Sequence, residues 1–161
     1  ISCRPSRLNA AMRTVLFLCT GNYFRSRFSE LWFNHQIVLQ GHDDDVHAVS
    51  AGLKVTSDNG NIGAMAVEAQ IALQQHGVAI DPTQLAMPRQ VSRDDVEQAD
   101  VVVAVDADAH RPMVRELFPD LEAKIRFWSV KDLDEVVAGD DPIALLQHQV
   151  DQLINALITG H

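Results

Sequence analysis

Short apolar runs alternate along the chain with longer segments in which apolar residues recur every three or four positions. Segments of strand type lie at residues 14–18, 46–50, 101–105 and 124–128 and predict four strands; residues 101–105 are a β-branched run, and residues 46–50 alternate between apolar and polar. The longer segments have the spacing of amphipathic helices. Strands that alternate with helices favour a parallel sheet covered by helices on both faces. We therefore predict a single three-layer α/β domain with a four-stranded parallel sheet.

Two of the predicted helices follow the first two strands. The first ends near Gly41, and five residues at helical spacing share its predicted face: Phe28, Leu31, Trp32, His35 and Leu39. Before the second helix, Ala51-Gly52 is expected to break the second strand. Gly77 is expected to end the second helix. Three apolar residues lie along one side of this predicted helix: Ala64, Val67 and Ile71.

Three further helices are indicated by their ends or their spacing. Ser92 with Asp95 three residues later is typical of a capping box and predicts a short helix that runs to Ala99. Residues 107–118 form the next predicted helix, with Pro112 tolerated in its first turn. After Pro142, a C-terminal amphipathic helix is predicted from apolar residues at steps of four, three and four: Leu146, Val150, Leu153 and Leu157.

The end of the first predicted strand carries the clearest chemistry. The strand runs directly into Cys19-Thr20-Gly21-Asn22-Tyr23-Phe24-Arg25-Ser26. A thiol attacks phosphorus as the thiolate, and five residues can turn their backbone N–H groups toward one oxyanion. A guanidinium at the end of such a loop matches two phosphate oxygens. Cys19 and Arg25 therefore predict a phosphate-binding loop, the alternative being a buried cysteine beside an unrelated arginine.

Composition narrows the possible functions. The net charge of −9 and the pI near 5.0 argue against a nucleic-acid surface, and no apolar stretch is long enough to span a membrane. Two cysteines rule out a disulfide framework, which favours a reducing, cytoplasmic setting, and seven histidines show no metal-ligand spacing. We predict no metal or cofactor. Residues 1–11 lack periodicity and are expected to be an extension outside the domain, which spans residues 12–161.

Together with Ser50-Ala51-Gly52 and Asp141-Pro142, the loop sequence resembles the low-molecular-weight protein tyrosine phosphatases. The resemblance runs in the same order from Met12 to the end of the chain. It implies that Cys19 attacks phosphorus to form a cysteinyl-phosphate, that Arg25 binds the phosphoryl oxygens and that Asp141 is the general acid. The implied phosphate-binding set comprises Thr20, Gly21, Asn22, Tyr23, Phe24 and Ser26.

The resemblance also implies supporting roles around the nucleophile. Asn22 would stabilise the loop with help from Ser50, and Ser26 would hydrogen-bond the thiolate. For Ser26, capping of the following helix is the alternative role. The adjacent Asp140 leaves the choice of acid open, and both aspartates could instead mark a loop with a cap before a helix.

Four positions depart from the family pattern. Phe24 replaces a second cysteine, so no disulfide within the loop can protect Cys19 from over-oxidation. Arg27 replaces a proline, and Ile143 replaces an aromatic residue that walls the substrate cleft. Tyr23 stands where a smaller aliphatic residue is usual. The aromatic wall would thus have moved into the loop, unless the loop aromatics only pack locally.

The predicted function is that of a cysteine-dependent phosphatase for phosphomonoesters, with protein phosphotyrosine as the favoured substrate. The alternatives are a phosphatase of the same fold for another substrate, such as phosphoarginine, and a phosphate-binding regulatory module with weak catalysis. The expected partners are phosphorylated proteins or small phosphomonoesters. The protein itself is expected to be a monomer or a weak dimer.

Overall fold

The computed structural model describes residues 12–132 and 141–159. Its sheet contains four strands, all parallel: β1 (Arg13–Cys19), β2 (Val46–Gly52), β3 (Val101–Ala104) and β4 (Ile125–Phe127). The strand order is β2-β1-β3-β4, which places β1 in the interior of the sheet. The predicted α/β fold with a four-stranded parallel sheet is confirmed. The proposed extension at residues 1–11 lies outside the described residues.

Within the described residues, five α-helices and two short 3-10 helices connect or follow the strands. The α-helices are α1 (Arg25–Leu39), α2 (Val67–Gln75), α3 (Arg93–Gln98), α4 (Ala107–Leu117) and α5 (Pro142–Thr159), and the 3-10 helices are Pro82–Gln84 and Pro119–Lys124. The predicted capping box is confirmed, because Ser92 and Asp95 bond each other's backbone amides at the start of α3. Among the described residues, none of the helices combines the length and apolarity that crossing a bilayer requires.

Two apolar clusters cover the two faces of the sheet. Alternate side chains of β1 enter opposite clusters, with Phe17 on one face and Leu16 on the other. The first cluster includes buried residues of α1, α2 and α5, and the second includes buried residues of α3 and α4. Burial on both faces explains why the two central strands, β1 and β3, are nearly continuous apolar runs. The clusters fix the carboxyl end of β1, where the loop sequence begins.

The predicted faces of α1 and α2 are partly wrong. On α1, Leu39 is 68% exposed, whereas Phe33 and Ile37 are buried beside Phe28 and Trp32. Both helices carry apolar residues on more than one side, so their spacing alone does not select the buried face. On α2, the predicted Val67 and Ile71 are about half exposed, and the buried residues are Ala69, Ala72 and Leu73.

Two details of the predicted elements also need correction. β2 does not break at Ala51 but continues through Gly52, which pairs with Cys19. A Cβ atom at Gly52 would lie 2.7 Å from the Thr20 carbonyl oxygen, so only glycine lets the loop pass this close. Pro112 lies in the second turn of α4 rather than the first, where it leaves the carbonyl of Asp108 without a helical partner.

Candidate active site

The predicted phosphate loop, residues 19–26, joins β1 to α1 at the carboxyl edge of the sheet. Asn22 has a φ of 53°, a left-handed conformation that asparagine tolerates better than most residues. The N-terminus of α1 follows at Arg25 and adds backbone N–H groups suited to an anion. A cavity of about 390 Å³ opens beside the loop and is lined by Cys19, Thr20, Gly21, Tyr23, Phe24, Arg25, Lys54, Thr56, Asn59, Asn61, Ala66, Glu68 and Asp132.

The buried Asn22 side chain organises the inside of the loop. Its Nδ2 donates to Ser50 Oγ and to Ser26 Oγ, each at 2.9 Å. Ser50 in turn donates to Glu30 Oε1 at 2.5 Å, and Asn22 Oδ1 accepts the Arg89 backbone N–H at 3.1 Å. These bonds join α1, β2 and the segment before α3 to the loop. The structure therefore brings the predicted loop-supporting residues Asn22 and Ser50 together.

Ser26 lies beside the sulfur of Cys19, with 3.0 Å between Oγ and Sγ. Because the side-chain nitrogen of Asn22 can only donate, the Ser26 oxygen accepts from it and keeps its own hydrogen for the sulfur. A donor at this position stabilises a thiolate. The alternative capping role does not fit, because the N-cap position of α1 is Phe24.

Glu30 completes this network below the loop. Burial raises the pKa of Glu30, against the hydrogen bond from Ser50 and the positive charges of Arg27 and Arg89. Glu30 follows Arg25 on α1. The sequence alone shows it only as an ordinary helical glutamate, with no sign of this role.

Arg25 is 3% exposed and is held by groups from the ends of β3 and β4. Its Nη1 donates to Asp106 Oδ2 at 3.1 Å and to the Val130 carbonyl oxygen at 2.9 Å. Its Nη2 lies 3.6 Å from Asp132 Oδ2, on the side of the cavity. Nη1 is thus anchored to the protein, and Nη2 pairs with Asp132 beside the cavity that both residues line.

Asp106 stays ionised although it is buried. Burial tends to raise the pKa of Asp106, but the hydrogen bond from Lys131, the Ala109 amide and the charges of Lys131 and Arg25 together hold that pKa below its ordinary value. The carboxylate therefore remains a firm partner for the Arg25 guanidinium near neutral pH. Asp106 lies two residues after the end of β3, and its place at the carboxyl edge of the sheet is the signal that could have identified it.

Asp141, the implied general acid, is engaged elsewhere. Its Oδ1 accepts the backbone N–H groups of Ile143 and Ala144 at 3.1 Å each, so it caps the N-terminus of α5. Of the described residues, Asp132 lines the cavity and Asp141 does not. The competing candidate Asp140 lies outside the described residues. Asp132 follows β4 by a few positions, so the carboxyl-edge argument could have identified it as well.

Tyr23 joins the phosphate loop to the opposite side of the cavity. Its hydroxyl donates to the Ile62 carbonyl oxygen at 2.7 Å and accepts the Ile62 backbone N–H at 3.3 Å. Tyr23 and Phe24 both line the cavity, and Phe24 is also buried in the first apolar cluster. The polar residues that line the rest of the cavity are here called the outer wall: Lys54, Thr56, Asn59, Asn61, Glu68 and Asp132.

His110 is a further residue at this site that the sequence did not single out. It is buried on α4, with Nε2 3.1 Å from Thr20 Oγ1 and Nδ1 3.1 Å from the Asp106 backbone nitrogen. Burial and the charge of Arg25 lower the pKa of His110 to about 4. One turn after Asp106, it lies directly beneath the loop.

Comparison with known proteins gives relatives for both the sequence and the fold. YfkJ, a low molecular weight protein-tyrosine-phosphatase of Bacillus subtilis, is 33% identical over 98 residues, which cover 60% of this chain and 58% of that relative. The chain therefore aligns with less than two thirds of YfkJ by sequence. A low molecular weight protein-tyrosine-phosphatase of Streptomyces coelicolor is 32% identical over 127 residues, covering 79% of this chain and 73% of the relative.

Solved structures share the fold over nearly the whole chain. The crystal structure of YfkJ superposes with a TM-score of 0.77 and 23% identity, covering 92% of this chain and 96% of that one. An arginine phosphatase, YwlE from Geobacillus stearothermophilus, superposes with a TM-score of 0.66 and 21% identity, covering 92% and 98%.

The family model for low molecular weight phosphotyrosine protein phosphatases matches residues 14–156. The match begins within β1, includes the whole phosphate loop and ends within α5. It confirms the predicted family and the prediction of a cysteine-based phosphatase. Because it covers well over half of the sequence, the chain belongs to the low molecular weight phosphotyrosine protein phosphatase family.

Proposed function

We propose that this protein hydrolyses phosphomonoesters through a cysteinyl-phosphate and that phosphotyrosine in proteins is its substrate. The observation that carries the proposal is the pairing of Cys19 with Ser26 inside a loop that ends at the buried Arg25, all beside one cavity. A hydrogen-bonded sulfur and a fixed guanidinium next to α1 supply a nucleophile and an anion site in the same place.

In the first step, Cys19 Sγ attacks phosphorus. The S–P bond forms while the bond from phosphorus to the leaving oxygen breaks. Arg25 Nη2 and the backbone N–H groups of the phosphate loop hold the three other oxygens, where negative charge accumulates in the transition state. The leaving oxygen needs a proton, and its donor must lie at the mouth of the cavity.

We assign this proton donor to Asp132 rather than to Asp141. Asp132 lines the cavity, and its side chain is 44% exposed, so it can reach a leaving group that points outward. Asp141 is occupied as the cap of α5. In the second step, the Asp132 carboxylate takes a proton from water as the water oxygen attacks phosphorus. The S–P bond then breaks, releasing phosphate and the Cys19 thiolate.

Kinetics on aryl phosphates with graded leaving groups test this assignment. We expect Asp132→Asn to lower kcat by about 10²- to 10⁴-fold, most strongly for poor leaving groups, because general acid catalysis contributes on that scale. Asp141→Asn is the matched control, since asparagine also caps helices well. Cys19→Ser should abolish turnover. A loss confined to Asp141→Asn would return the acid role to Asp141.

A phosphorylated guanidinium is the second candidate substrate. Carboxylates of Glu68 and Asp132 line the cavity and could contact a guanidinium, and one protein of the same fold is named an arginine phosphatase. Tyr23 favours phosphotyrosine because its ring offers an aromatic surface. Residues 133–140 contain no aromatic side chain that could add another.

A panel of peptides phosphorylated on Tyr, Ser, Thr or Arg separates these candidates, with Cys19→Ser as the control. Release of phosphate from the tyrosine peptides alone supports the proposal. Phosphate binding without Cys19-dependent release from any of them would identify a regulatory module instead. A catalytic thiol must stay reduced, which supports action in the cytoplasm. We propose a monomer or a weak dimer as the acting form.

A further inference from the structure

The side chains of Thr20 and of the buried His110 have no part in the mechanism described so far. The imidazole of His110 lies under the phosphate loop, with Nε2 3.1 Å from Thr20 Oγ1. On its other side, Nδ1 lies 3.1 Å from the backbone nitrogen of Asp106. Thr20 is half-buried and lines the cavity together with Cys19 and Arg25.

The partners of His110 fix its tautomer. A backbone N–H can only donate, so Nδ1 of His110 accepts from Asp106 and carries no hydrogen. The hydrogen of the neutral ring is therefore on Nε2, which donates to Thr20 Oγ1. The charged groups that act on the ring are Arg25 and Lys131, which disfavour its protonation, and Asp106, which favours it. Burial adds to the effect of the two cations, and His110 stays neutral near pH 7.

The direction of this bond decides what the threonine hydroxyl does. Since Thr20 Oγ1 accepts from His110, its own hydrogen is left to donate to another group. In the described part of the chain, the hydroxyl makes no other side-chain hydrogen bond. Thr20 is one of the residues that line the cavity in which the phosphoryl group would be held.

We propose that the Thr20 hydroxyl donates a hydrogen bond to a phosphoryl oxygen and that His110 is the positioning residue that orients it. The inference rests on the proposed phosphatase function. The hydrogen-bond chain runs from the Asp106 N–H through His110 to Thr20, and each step has its direction set by the one before. This donor adds to Arg25 and the loop amides and is oriented before the substrate binds.

Substitution of Thr20 tests the donor. Thr20→Val replaces the hydroxyl by a methyl group of similar size, and Thr20→Ser keeps the hydroxyl. We expect Thr20→Val to lower kcat for p-nitrophenyl phosphate by about 10- to 100-fold, which is at or below the usual loss for one preorganised donor. The same substitution should weaken inhibition by orthovanadate. Thr20→Ser should stay within a few-fold of the unsubstituted protein. A kcat and an orthovanadate affinity unchanged in Thr20→Val would overturn the proposal.

A double-mutant cycle tests the role of His110. His110→Gln removes the ring and its fixed hydrogen-bond direction, and we expect it to lower kcat in the presence of Thr20. In the Thr20→Val background the same substitution should have little further effect, because the hydroxyl that it would orient is gone. Losses that multiply in the double variant would show that His110 does not act through Thr20. A purely structural role would also lower stability equally in both backgrounds.

The inference can fail without the proposed function failing. If turnover depends on Cys19 but not on the Thr20 hydroxyl, only the inference is wrong. If no Cys19-dependent turnover exists, calorimetric titration with tungstate, a phosphate mimic, still tests the donor. Binding that is several-fold weaker in Thr20→Val than in Thr20→Ser supports it, and equal binding overturns it.

Discussion

The phosphate loop and the outer wall of the cavity differ in where their residues come from and in how they are held. The loop is one continuous segment whose polar side chains are buried and hydrogen-bonded, as Asn22 and Ser26 illustrate. The outer wall comes from residues 54–63, α2 and the end of β4, and most of its side chains face solvent. The loop is therefore suited to fixed geometry for one reaction, and the wall to adaptable contacts with a substrate.

Asn22→Ala should have the largest effect on the loop side of this comparison. Alanine disfavours a φ of 53°, and the change leaves two buried hydroxyls without their donor, so we expect a loss of roughly 3 to 5 kcal/mol in the free energy of unfolding. Urea denaturation measures this loss. Asn22→Gly is the matched control, because glycine accepts the backbone conformation but lacks the amide.

The two variants divide the effect between backbone and side chain. If Asn22→Gly restores most of the stability but not the turnover, the amide network holds the chemistry and the loop is fixed as described. If Asn22→Ala is as stable as the unsubstituted protein, the loop is no more firmly held than the outer wall, and the comparison fails.

Lowering the pH should reduce the free energy of unfolding through His110, which lies under the phosphate loop. The folded pKa is about 4 and the ordinary value about 6.5, so between these values only the unfolded chain binds the proton. The contribution of neutral His110 to the free energy of unfolding is fully present above pH 6.5 and is lost as the pH falls toward 4. From pH 7 to 4.5, the protein should lose about 2 to 3 kcal/mol more of its unfolding free energy than His110→Gln does.

Urea denaturation of both proteins at the two pH values measures the difference. Arg25, Lys131 and Asp106 face the ring and are present in both proteins, so their own titration cancels to first order. Equal losses in both proteins would mean that His110 accepts a proton as readily in the folded protein as in the unfolded chain, and the fixed tautomer would then be lost near the ordinary pKa of about 6.5.

Much of the loop could be predicted from the sequence because its residues are contiguous. Cys19, Arg25 and the strand before them lie within one short stretch, and local geometry brings them together. Local spacing could not predict the roles of Asp106, His110 and Asp132. These residues reach the site only through the order of β3 and β4 beside β1. The Asp-Pro pair is ambiguous for a related reason: the same two residues are also typical of a helix start, and Asp141 has that position.

Where the phosphate loop meets the segment that carries the outer wall, Tyr23→Phe should have a moderate effect on substrate binding. Phenylalanine keeps the aromatic surface but loses the hydroxyl that donates to Ile62 and fixes residues 54–63 against the loop. We expect KM for a phosphotyrosine peptide to rise about 3- to 10-fold, the value of one hydrogen bond, with kcat nearly unchanged. Steady-state kinetics check this. A fall in kcat with an unchanged KM would place Tyr23 with the loop chemistry rather than the wall.

Asp141 should give the smallest effect, and its response distinguishes a cap from an acid. Asp141→Ala removes the oxygen that accepts from Ile143 and Ala144, so we expect a loss of about 1 kcal/mol in unfolding free energy, measured by urea denaturation. Asp141→Asn should keep most of that stability, since asparagine caps as well as aspartate. Turnover of p-nitrophenyl phosphate should stay within about twofold in both variants, because the charge of Asp141 has no part in the proposed proton transfer. If both variants lose turnover while only Asp141→Ala loses stability, the carboxylic acid itself takes part in the reaction. The outer wall would then include the start of α5, and Asp132 would serve to orient Arg25 instead of donating the proton.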